Sequence, residues 1–69
     1  MTNYPKLLGK NIKTARQAVK LSQEKLALET NIDRSYISGI ERGVRNPSLN
    51  KIIRIANRLD KTPAELFTE

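Results

Sequence analysis

An all-α fold of five short helices is what this sequence predicts, and three observations predict it. Apolar residues recur at helical spacing along the chain, and no alternating run offers a half-buried strand. Residues suited to capping a helix N-terminus (Ser22, Asp33, Ser48 and Thr62) stand directly before those stretches. A length of 69 residues without cysteine leaves room for one hydrophobic core and supplies no disulfide framework in its place. One domain spanning residues 1–69 follows.

The elements can be justified in order. From Pro5 to Lys20, Leu8, Ile12, Ala15 and Val19 share one stripe. Lys6, Lys10, Lys13 and Lys20 lie opposite them, with Arg16 at the border. A second helix starts after Ser22 and runs through QEKLALE, with Glu24 in its first turn, where the helix dipole favours a negative charge. A third starts after Asp33 and runs through RSYISGIER to a stop at Gly43. Ser48 caps a fourth, LNKIIRIANRL, whose stripe of Ile52, Ile55, Ala56 and Leu59 is widened by Leu49 and Ile53. Thr62-Pro63-Ala64-Glu65 reads as a capping box with proline at the first helical position. It opens a short fifth helix carrying Leu66 and Phe67. No repeat, linker or low-complexity segment interrupts this order.

Composition narrows the function. Thirteen Lys and Arg against seven Asp and Glu leave a net charge of +6, a balance that favours polyanions. The charge is segregated along the chain: residues 1–23 and residues 42–59 contain no acid, and Glu24, Glu29, Asp33 and Glu41 lie between them. With neither histidine nor cysteine, no metal site is expected. The same absence, with no glycine-rich phosphate loop, argues against an enzyme, a catalytic residue or a cofactor. No apolar stretch approaches a membrane span, and MTNYPKLLGK lacks the apolar core of a secretory signal, so a cytoplasmic protein is expected. An RNA-binding module would normally show aromatic stacking platforms, for which Tyr4, Tyr36 and Phe67 are too few and too scattered.

The informative element is the join between helices two and three. Only Thr30, Asn31 and Ile32 separate them, and Asn31 visits the left-handed region at less cost than other non-glycine residues. That is a helix-turn-helix, over about residues 22–43, whose second helix can lie in a DNA major groove. On a helical wheel Ile37 and Ile40 face the core. Ser35, Ser38, Gly39 and Arg42 face outward and Arg34 stands at the exposed start, a small, polar and basic surface.

The string SQEKLALETNIDRSYISGIERGVRNPSL resembles the Cro/repressor-type helix-turn-helix family, in which a Gln opens helix two and an Ile-Ser…Ile-Glu-x-Gly run forms helix three. The stretch DRSYISGIERGVRNPSL is most similar to the small controller proteins of restriction–modification systems. The resemblance covers about residues 8–67 and implies a five-helix, lambda-repressor-like domain that binds a partly palindromic double-stranded DNA operator as a homodimer. Asn31 departs from the glycine usual there. Gln23 is then implied to meet the phosphate backbone. Arg34 and Ser35 open the recognition helix, where an Arg either bonds to the O6 and N7 of guanine or holds a phosphate. On periodicity Tyr36 is either a core-edge aromatic or a DNA contact through ring and hydroxyl, and the resemblance favours DNA. Ser38 and Arg42 are expected at phosphates, and Arg45 and Asn46 as a backbone clamp. Arg16 and Glu41, at the margins of apolar stripes, match positions that form a structural ion pair in the family.

Leftover apolar surface points to a dimerisation region over about residues 49–69, with Ile53, Leu66 and Phe67 as its contacts. Activation together with repression is what the controller resemblance implies, which makes RNA polymerase a further candidate partner. The rival reading is a DNA-binding antitoxin or phage-type repressor acting with a protein partner.

Overall fold

The computed structural model describes residues 1–69 and contains four α-helices, one closing turn of 3-10 helix and no strand. The helices are α1 (Tyr4–Ala18), α2 (Gln23–Thr30), α3 (Arg34–Glu41) and α4 (Leu49–Arg58), and the turn covers Ala64–Phe67. The expected fifth α-helix is thereby corrected. Pro63 directs the chain inward and Thr68 is already extended, so i→i+3 bonds such as Leu66 N–H to the Pro63 carbonyl (3.1 Å) are all that the segment closes.

Capping sets most boundaries. The Ser22 and Ser48 hydroxyls accept from Lys25 N–H (3.0 Å) and Lys51 N–H (3.3 Å). Thr62 and Glu65 exchange side chain-to-backbone bonds in both directions, at 2.8 and 3.2 Å. Asn3, which sequence reasoning passed over, caps α1 by accepting from Lys6 N–H. Asp33 caps α3 with its carbonyl alone, because its carboxylate is taken by the Ser35 hydroxyl. Helix α1 ends before the expected Lys20. That residue is left-handed (φ 57°), and Leu21 N–H reaches back to the Arg16 carbonyl, which drops Leu21 into the core. Val19, assigned to the buried stripe, is 52% exposed as a result.

One core joins all five elements, its fully covered members including Ile12, Leu26, Ile37, Ile40, Ile55 and Leu66. Helix α1 packs on α3 and on the closing turn, while α2 packs on α3 and α4. Gly9 permits the α1–α3 approach: a Cβ there would collide with the Ile40 carbonyl oxygen and lie 2.7 Å from that of Glu41. Asn11 ties down the C-terminus by donating to the carbonyls of Leu66 (2.8 Å) and Thr68 (2.9 Å). No helix is long and apolar enough to cross a membrane.

Candidate nucleic-acid interface

Asn31 makes the turn. It sits at φ 57°, ψ 38°, with its N–H bonded to the Ala27 carbonyl, and it redirects the chain so that Ile32 is buried and Asp33 starts α3. Thr30, expected in the turn, ends α2 instead, where its buried hydroxyl donates to the Leu26 carbonyl at 2.7 Å. Ile37 and Ile40 then fix α3 against the core.

The other side of α3 carries the expected contact residues. Arg34 and Ser35 are exposed, and Arg34 has only a loose, solvent-facing partner in Glu24 at 3.9 Å. Tyr36 and Ser38 are half-buried, and Arg42, Arg45 and Asn46 are exposed. Gly39 is corrected from the outer face: it is buried beneath the Arg45 side chain, and a Cβ there would stand 2.5 Å from Arg45 Cγ. Arg42, Arg45 and Lys51 have no carboxylate within ion-pair distance, which leaves an uncompensated cationic surface beside the recognition helix.

Elsewhere three arginines of the acid-free sequence blocks, Arg16, Arg54 and Arg58, find partners in space. Arg16 makes a two-pronged contact with Glu41, Nε to Oε2 at 2.7 Å and Nη2 to Oε1 at 3.0 Å, and its Nη1 donates to the Leu21 carbonyl. Hydrogen bonding to Glu41 raises the Arg16 pKa further above its ordinary value, so the guanidinium keeps its charge throughout. Gln23 places its amide nitrogen 3.0 Å from Glu41 Oε1. That donor is committed inside the protein, and what Gln23 can offer a phosphate is its backbone N–H at the open start of α2. Arg54 donates to the Thr30 carbonyl at the end of α2 (3.1 Å), and Arg58 pairs with Glu29. Neither contact was legible, since nothing local in a sequence marks which helix C-terminus a distant arginine will cover.

The dimer residues divide. Leu66, expected at an exposed interface, is 1% exposed within its own chain, so it belongs to the core. The capping box swings it inward, and Asn11 holds it there. Phe67 is half-buried and meets Tyr4 edge-on at 6.3 Å. Ile53 is half-buried and shares a side of α4, one turn apart, with Leu49, which is 66% exposed.

Comparison with known proteins gives a consistent picture. The family profile described as helix-turn-helix matches residues 12–66. The chain is 46% identical over 69 residues to the control protein C.BamHI of Bacillus amyloliquefaciens, covering 97% of this chain and 85% of that protein. The crystal structure of the restriction–modification controller protein C.AhdI from Aeromonas hydrophila superimposes with a TM-score of 0.87 at 46% identity, covering 91% of this chain and 96% of that one. The DNA complex of SinR, a master regulator for biofilm formation, superimposes with a TM-score of 0.84 at 31% identity, covering 88% and 98%.

Proposed function

The chain belongs to the helix-turn-helix family, and on that premise we propose that it is a sequence-specific transcription regulator of the restriction–modification controller type. The observation that carries the controller reading is 46% identity to two such proteins across nearly the whole chain. The geometry supports DNA binding, because α3 is anchored by Ile37 and Ile40 and turns Arg34, Ser35 and Arg42 to solvent beside unpaired cations. Arg34 reads a guanine edge from the start of α3, Ser38 and Arg42 contact phosphates, and Arg45 and Asn46 clamp the backbone. Tyr36 belongs to the same contact surface, and Gln23 contributes its backbone N–H.

The DNA-bound form is a homodimer. Leu49, Ile53 and Phe67 supply apolar surface that one chain leaves uncovered. A two-fold pairing there sets two α3 helices about 34 Å apart, one turn of duplex. The regulator works in the cytoplasm, where the DNA is, and activates or represses according to which operator is filled. RNA polymerase is the partner that activation requires.

Selection of bound sequences from a random duplex pool tests this reading. Enrichment of a two-fold-symmetric site, with half-sites about one helical turn apart, is the expected result. A pool that stays random after repeated selection contradicts it.

A further inference from the structure

Tyr36 carries two cations of its own chain. The guanidinium carbon of Arg45 stands 5.5 Å from the ring centroid and the ammonium nitrogen of Lys51 4.6 Å. Both lie inside the roughly 6 Å over which an aromatic face attracts a cation. The ring is a fixed mount, since it is half-buried and packs against the core. Arg45 reaches it by lying across Gly39, where a Cβ would stand 2.5 Å from Arg45 Cγ, so the bare backbone of α3 is what lets the arginine stem pass. The Lys51 backbone is fixed in turn by its N–H bond to the Ser48 hydroxyl at the start of α4.

These two charges differ from the structural arginines. Arg16 and Arg58 have carboxylates and Arg54 has a helix-terminal carbonyl, whereas Arg45 and Lys51 share a ring with no acid near them. Two like charges held on one aromatic mount repel each other until an anion joins them. We propose that Lys51 is a ligand for a duplex-DNA backbone phosphate, set beside Arg45 by Tyr36 and Gly39, which act as positioning residues. The proposal rests on the DNA-binding reading above and adds a contact residue that sequence reasoning left unassigned. In holding the two cations Tyr36 acts through the face of its ring.

Binding of the full chain to its selected operator and to a random duplex, each across a salt series, tests the assignment. Lys51→Met is expected to weaken both complexes alike and to reduce the slope of log affinity against log salt by about 0.9 per bound subunit, the share of one phosphate contact, hence about 1.8 for a bound dimer. Tyr36→Leu is expected to weaken binding by about two- to fivefold and to flatten the same slope, and Tyr36→Phe, which keeps the ring, to restore the slope. An unchanged slope in Lys51→Met, with wild type still preferring its operator, overturns the assignment and leaves the regulator reading standing. Tyr36→Phe flattening the slope as Tyr36→Leu does overturns the positioning role and gives the work to the hydroxyl. If wild type shows no preference for any sequence, the regulator reading fails, while the Lys51 slope on the random duplex still decides this proposal.

Discussion

Glu41 accepts from Arg16 Nε at 2.7 Å, Arg16 Nη2 at 3.0 Å and Gln23 Nε2 at 3.0 Å, with 3% of its side chain exposed. Removing Arg16 strands that carboxylate without its counter-charge, which costs roughly 3–5 kcal/mol. Native domains are held by only about 5–15 kcal/mol, and small ones lie near the bottom of that range. Arg16→Ala is therefore expected to lower the melting temperature sharply or leave the chain unfolded. Arg34, exposed and only loosely paired, has no such role. Arg34→Ala is expected to melt with wild type and to lose about 1–3 kcal/mol of operator binding per half-site. Thermal melts and gel-shift titrations of both variants check this, and equal melting temperatures contradict it. At this scale the resemblance made Arg16 and Glu41 legible as a pair. The third donor, Gln23, was assigned outward because its partner lies on another helix, and local spacing carries no trace of that. Lys51 and Gly39 were missed or misplaced for the same reason, since a ring and a loop arginine define them only once the chain has folded.

Helix ends were the more readable features. Ser22, Ser48 and Thr62 act in the structure through the hydrogen bonds that make such residues good caps. Asn31 takes the left-handed conformation its chemistry tolerates. What escaped were Lys20, left-handed at φ 57° with a side chain that gives no warning, and Asp60, at φ 58°, whose short polar side chain tolerates the conformation. There the burial of Leu21 and Leu59 decides where the chain turns. Asn31→Val is expected to cost about 1–2 kcal/mol, because a branched side chain clashes in that conformation, while Asn31→Gly stays folded. Chemical denaturation of the two variants separates them. The caps also set a pH dependence. The Thr62 N–H bonded to Glu65 holds that carboxyl below its ordinary value of 4.5, and the Arg58 contact does the same for Glu29. Groups with a lowered folded pKa contribute their stability fully above the ordinary value and lose it as pH falls through the lowered one. The melting temperature is thus expected to decline on the acid side, below about pH 4.5, and less steeply in Glu65→Gln and Glu29→Gln.

Across the whole molecule, charge is sorted by partner more than by sequence block. Arg16, Arg54 and Arg58 brace helices from within, whereas Arg42, Arg45 and Lys51 stand without acids beside α3. Part of the +6 excess therefore stands where α3 meets solvent. The fold class, the helix-turn-helix and the outward residues Arg34 and Ser35 were all legible, because caps, turn chemistry and helical period agree on them. The closing turn and the place of Leu66 were not, because whether a terminal apolar residue covers its own core or a partner depends on packing geometry. In the proposed division of labour α3 reads bases and the flanking cations supply strength. Its most direct test is the ratio of affinities for the selected operator and a scrambled duplex, measured at two salt concentrations for wild type and Arg34→Ala. A large ratio is expected for wild type, which Arg34→Ala reduces about 5- to 150-fold per half-site, with binding to scrambled DNA steeply salt-dependent in both. A ratio near one for wild type, or one that Arg34→Ala leaves untouched, would contradict it.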